Sequence, residues 1–148
     1  LVAPHNCYGG CYRAFSALAR EGRFKVEFAD FTRPDEVRRL CQQKRPKVIW
    51  VETPSNPLLR VTDIAEMSEL ARETGALLAV DNTFLTPYYQ RPFELGADLS
   101  IHSTTKYLCG HGTVVGGTMT TTLDRVKDRV FTVVKDVGTA VAFIEKHL

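Results

Sequence analysis

The sequence predicts an α/β fold, a mostly parallel sheet with flanking helices. Three observations carry that prediction. Apolar strand-like runs alternate with helical patterns along the chain. The run over residues 47–51 is almost wholly apolar, as expected of a buried strand. Asn56, Asp81 and Lys106 all lie just beyond such runs, where parallel sheets bind ligands past the carboxyl ends of their strands.

Each element has a local reason. Leu1-Val2-Ala3 is the tail of a first strand. A helix is expected over 12–20, with Phe15, Leu18 and Ala19 at helical spacing and Gly22 stopping it. Residues 24–28 alternate as a short strand. Arg33-Pro34-Asp35-Glu36 opens a helix running to residue 43, with Pro34 suited to a first turn. Pro54-Ser55-Asn56-Pro57 is a loop, since two prolines continue neither element. Residues 63–74 form an amphipathic helix with Ile64, Met67, Leu70 and Ala71 on one face and Gly75 as its cap. A strand over 76–80 follows. Gly96-Ala97-Asp98 leads into another over 99–102. Residues 114–120 read as a strand and 123–134 as a helix. No internal repeat, low-complexity tract or linker is visible.

At 148 residues the chain suits a single domain with a sizeable core. A net charge of +2 gives no electrostatic argument for nucleic acid or a membrane surface. No apolar run approaches the length of a membrane span, and no signal-peptide pattern is read. Cys7, Cys11, Cys41 and Cys109 fit no zinc or redox spacing. Reduced thiols in a cytoplasmic protein are therefore expected. The chain opens inside a strand without Met and closes at Lys146-His147-Leu148 inside an unfinished pattern, so a piece of a longer protein is expected.

Chemistry concentrates in two segments, Ala79-Val80-Asp81-Asn82-Thr83-Phe84 and Ile101-His102-Ser103-Thr104-Thr105-Lys106-Tyr107. A carboxylate at the end of a buried strand needs a cation or a hydrogen-bond donor. Lys106 offers an amine that can form a Schiff base with an aldehyde. Ser103 and Thr105, at the start of a turn, offer hydroxyls and free N–H groups for a phosphate. Together these suit pyridoxal 5′-phosphate (PLP). Asp81 would keep the pyridine nitrogen protonated, so that the ring works as an electron sink. Asn56, stiffened between prolines, would donate to the ring oxygen. Tyr8, before Gly9-Gly10, would stack on the ring, since glycine lets backbone approach a ligand.

Blander roles compete at each position: turn or helix capping for Asp81, Ser103 and Thr105, an Asx-turn for Asn56, core packing for Tyr8, a solvated side chain for Lys106. Ser103-x-x-Lys106 also fits the S-x-x-K signature of penicillin-binding serine enzymes, but the S-D-N and K-T-G partners are missing. His102 and His111 flank Lys106 without a convincing third ligand, so no metal is expected.

These segments, with Val51-Glu52-Thr53-Pro54-Ser55-Asn56-Pro57-Leu58-Leu59 and Gly110-His111, resemble the Cys/Met metabolism family of PLP-dependent enzymes. These are the transsulfuration enzymes of fold type I, with the aspartate-aminotransferase architecture. The motifs span residues 6–117 in the family's order. The resemblance implies that the chain is the central portion of a PLP-binding large domain, with an N-terminal segment and a C-terminal domain lying outside it. It implies the roles given above and adds proton transfer by Lys106, with help from Tyr8. Within the family, residues 1–10 and 54–61 are most similar to the branch that replaces the γ-acyl group of an activated homoserine with cysteine. β- and γ-eliminating branches share the same motifs. Amino-acid substrates and a homotetramer of the full-length protein follow from the same resemblance. An incomplete enzyme that at most binds PLP or partner chains is the alternative of another class. Thr113 departs from the family, which usually has an acidic residue or Asn there.

Overall fold

The computed structural model describes residues 1–137. The last expected feature, the unfinished pattern at Lys146-His147-Leu148, lies outside the described residues. Six strands form one sheet in the order β2-β1-β3-β4-β5-β6: β1 (Val2–Pro4), β2 (Glu27–Ala29), β3 (Val48–Glu52), β4 (Leu77–Asp81), β5 (Leu99–Ser103) and β6 (Gly117–Thr121). The first five run parallel, and β6 closes the edge antiparallel to β5. The longer helices are α1 (Gly9–Arg20), α2 (Pro34–Lys44), α3 (Ile64–Thr74) and α5 (Asp124–Val137); α4 (Thr86–Tyr89) is a single turn.

Strand alternation divides the central sheet into two faces. Ile49, Val51, Leu78 and Val80 are all fully buried and belong to the core cluster with Val37, Cys41, Ile64, Met67 and Leu70 of α2 and α3. The other side of the same strands carries Trp50, Glu52, Ala79 and Asp81, which the register sets as neighbours, Trp50 beside Ala79 and Glu52 beside Asp81. Helix α1 lies on that second face, its Phe15 ring edge-on to Trp50 with centroids 5.2 Å apart. The α3 helix has strong local punctuation. Asp63 accepts from the Glu66 amide at 3.1 Å, and Gly75 ends the helix in the left-handed region at φ 72°, a conformation glycine adopts without strain.

Most expected elements are present, with shifted ends. The first helix begins at Gly9 rather than residue 12. The glycines weaken its helical pattern in sequence, but Tyr8 starts it, with its carbonyl accepting from the Tyr12 amide. The strand expected over 24–28 occupies Glu27–Ala29, because it pairs only where β1 runs beside it. The strand expected over 114–120 starts later, at Gly117, since residues 113–116 form a loop that returns from the Lys106 turn. Sequence reading also passed over α4, the 3₁₀ turn Pro92–Leu95 and the π-type turn Thr104–Leu108. All are too short for hydrophobic periodicity to register.

Candidate active site

The second face of the sheet changes character toward its carboxyl edge. Glu52 ends β3, Asp81 ends β4 and Ser103 ends β5, so three polar side chains stand at neighbouring strand ends. Together with the loop before α1 and the turn after β5 they enclose a cleft of about 290 Å³. Tyr8, Asn56, Asp81, Ser103, Thr105 and Lys106, the six residues singled out from sequence, all line it.

Each is held by identifiable contacts. Asp81 accepts from the Thr83 amide at 3.0 Å and the Thr83 hydroxyl at 2.6 Å, both on Oδ1; Oδ2 has no hydrogen-bond partner among the described residues. Thr83 Oγ1 accepts in turn from the Ser103 amide at 2.8 Å, tying the ends of β4 and β5 together. Tyr8 is half exposed, and its ring folds back over Gly10. A Cβ built on Gly10 would lie 2.5 Å from Tyr8 Cε1, so only glycine leaves room for the ring in this position.

Lys106 stands exposed in the π-type turn, the one residue there with non-helical backbone angles. The neck of its loop is closed by Gly116, whose carbonyl accepts from the Thr104 and Thr105 amides at 3.0 and 3.4 Å. The Thr105 hydroxyl accepts from the Gly116 amide at 2.9 Å and donates to its carbonyl at 3.3 Å. The hydroxyl therefore serves the neck of the loop as well as lining the cleft.

Sequence reasoning missed Glu52, Thr83 and Phe84, which share the lining. Thr83 and Phe84 stand in a motif already quoted, and Glu52 heads the Pro54-Ser55-Asn56-Pro57 loop, so position was the available signal. Glu52 is 6% exposed. Burial pushes its carboxyl up from the ordinary range; amide bonds from Tyr8 and Asn56 counter that, and neighbouring Asp81 adds to the rise. Cys7 and Cys11 are pushed up to about 11 and about 12, chiefly by burial and then by the nearby carboxylates. All four cysteines are free thiols. His102 is buried, its Nε2 3.1 Å from the Ser100 hydroxyl, with Nδ1 unpartnered among the described residues. His111 is exposed and bonded through Nδ1 to the Cys109 carbonyl at 2.8 Å. The two histidines lie outside the cleft lining.

The donor set fits PLP: an amine for the aldehyde, a carboxylate for the pyridinium, an aromatic ring above a glycine for stacking, and hydroxyls for the phosphate. The N–H groups expected to be free there are engaged, the Ser103 amide on Thr83 Oγ1 and the Thr104 and Thr105 amides on the Gly116 carbonyl, because they tie the strand ends and the neck of the loop together.

Comparison with known proteins agrees with that chemistry. The family model of the Cys/Met metabolism PLP-dependent enzymes matches residues 1–147. The chain is 56% identical over 117 residues to cystathionine gamma-synthase of Escherichia coli (strain K12), covering 79% of this chain and 30% of that protein. It is 44% identical over 121 residues to cystathionine gamma-lyase of Bacillus subtilis (strain 168), covering 82% of this chain and 32% of that protein. A crystal structure of cystathionine gamma synthase from Xanthomonas oryzae pv. oryzae in complex with cystathionine matches with a TM-score of 0.90 at 43% identity, covering 95% of this chain and 36% of that chain. The chain thus spans about a third of the length of these relatives. It belongs to the Cys/Met metabolism family of PLP-dependent enzymes.

Proposed function

We propose that the chain forms the cofactor-bearing part, the central portion of the large domain, of a cytoplasmic transsulfuration enzyme. The reaction we favour is that of cystathionine γ-synthase, replacement of the γ-acyl group of an O-acylhomoserine by cysteine. One observation supports this reading above others. Six residues drawn from four separate segments converge on one cleft at the carboxyl edge of the sheet. The higher identity to a synthase than to a lyase supports the choice of reaction. Lyase chemistry, β- or γ-elimination, is the second reading, because relatives with lyase names match over the same span.

When bound, PLP supplies an electron sink for charge developing at the substrate's α-carbon. The residues of the chain do the rest. Lys106 Nζ would hold the cofactor through its aldehyde carbon and, once displaced by the substrate's amine, would be free to move the α-proton. Asp81 pairs with the pyridine nitrogen. Ser103 and Thr105 bind phosphate, Asn56 contacts the ring oxygen, and Tyr8 covers the ring and assists proton transfer. A homotetramer of the full-length protein with amino-acid substrates completes the reading.

The test is an assay of the gene product that carries this chain, supplied with an O-acylhomoserine and cysteine. Cystathionine formation in excess of oxo-acid and ammonia release supports the synthase. Oxo-acid and ammonia release from cystathionine alone moves the assignment to a lyase. Neither product, with no PLP bound, overturns the reading and leaves an incomplete enzyme.

A further inference from the structure

Glu52 is the one buried carboxylate in the cleft to which the proposed chemistry gives no role. Its two oxygens are divided between two loops. Oε2 accepts from the Tyr8 amide at 2.7 Å, and Oε1 accepts from the Asn56 amide at 2.7 Å. Both bonds are short, as for charge-assisted pairs. They connect residues far apart in sequence, one on the loop entering α1 and one on the loop leaving β3.

The α1 terminus has no local means of holding this position. Tyr8 caps the helix without a side-chain hydrogen bond, and the first turn carries no acidic residue. The Glu52 carboxylate approaches from β3 instead, near the positive end of the helix. A second bond joins the same two loops: the Ser55 hydroxyl accepts from Asn6 Nδ2 at 2.9 Å, and also from the Arg60 amide at 3.2 Å within its own loop.

We infer that Glu52 is a positioning residue, a carboxylate bridge that sets the Tyr8 ring and the Asn56 amide at fixed places on opposite loops of the cleft. This rests on the PLP reading above and extends it. The two groups proposed for the face and the edge of the ring are each bonded to one side chain on the end of a strand, and the Asn6–Ser55 bond ties their loops a second time without touching either group. Positioning of this kind matters because binding groups lose effectiveness with sub-ångström displacement.

Glu52→Gln tests it. The amide keeps the size of the carboxylate but offers one acceptor and one NH₂, so one backbone N–H faces a donor. The Tyr8 or Asn56 amide should then exchange with solvent faster in the apo protein, while the β3 and β4 amides keep their protection. PLP binding should weaken about tenfold to a hundredfold, the scale of losing one charge-assisted hydrogen bond. The visible circular dichroism of the bound cofactor should also change, reporting a shifted ring. The apo melting temperature should fall modestly, because one buried N–H is left facing a donor. Should that variant not fold, Glu52→Asp gives the same readouts, since its shorter arm cannot reach both amides. Unchanged amide exchange, affinity and dichroism in either folded variant overturn the bridge while leaving the PLP reading intact. An unsubstituted protein that binds no PLP overturns both.

Discussion

The two faces of the central sheet are built from the same strands and obey different physics. On one, Ile49, Val51, Leu78 and Val80 are all sealed beneath α2 and α3. On the other, the neighbouring positions end in Glu52 and Asp81, held by hydrogen bonds to loops rather than by packing. Helix α3 buries six of its residues, whereas α1, over the second face, has partly buried residues but none fully buried. A parallel sheet thus separates stability from chemistry by a single step of register. Substitutions on the first face should act on folding, and substitutions on the second on the ligand.

Several experiments would break or sharpen that division. Lys106→Ala should remove covalent attachment of PLP entirely while leaving folding largely intact. A borohydride-reducible link surviving in that variant would sink the assignment. Asp81→Ala should lower turnover about a hundredfold, the scale of losing one preorganised electrostatic contact, with a much smaller change in unfolding midpoint; near-normal turnover would remove Asp81 as pyridinium partner. Leu70→Ala, beneath the first face, should cost about 2–5 kcal/mol of stability in denaturant titration. Cofactor spectra of the folded fraction should stay unchanged, and a spectral change of the size seen in second-face variants would show that the faces are coupled.

The smallest effect concerns Cys7 and Cys11, whose folded values of about 11 and about 12 lie above the ordinary thiol value of 9.0. A raised value means that the folded state keeps its protons longer. Their contribution is therefore fully present below pH 9.0 and lost as pH rises toward about 11 and about 12. Alkylation in native protein at neutral pH should accordingly be slow at both and become fast on unfolding; equal rates in the two states would refute the burial argument.

Much of this was legible in sequence because strand ends leave a sharp signal. Asp81 follows Leu77-Leu78-Ala79-Val80, and Asn56 and Lys106 also lie just beyond strand-like runs, so polar residues past strand ends located the edge of the sheet. Convergence followed from parallel topology, which brings successive strand ends to the same side. Glu52 escaped notice for a physical reason. Like Asp81 it follows an apolar run, Val48-Ile49-Trp50-Val51, but its Tyr8 partner lies 44 residues away, so the bond that gives it a role is invisible in local sequence. The antiparallel direction of β6 was likewise hidden, because residues 117–121 carry no marker of orientation and most are exposed. The start of α1 was obscured by the poor helix propensity of Gly9 and Gly10, although Gly10 is needed for the space that the Tyr8 ring takes.

The neck at Gly116 has a consequence for the order in which the molecule becomes competent. The cleft is lined by residues from Tyr8 to Gly116, so its closing contacts join distant parts of the chain. Its amine hangs on a loop whose neck, at Gly116, adjoins the pairing of β6 with β5. The neck itself spans only 11 residues and closes locally, but the contact of Tyr8 with Glu52 spans 44, and closure over such a separation is slow compared with local helix formation. Ligand capture would therefore be among the last properties the chain acquires. A ligand at a hundred times its dissociation constant adds about 2.7 kcal/mol to the folded state. Added PLP should thus act on this edge as a clasp, and its uptake would time the completion of the sheet.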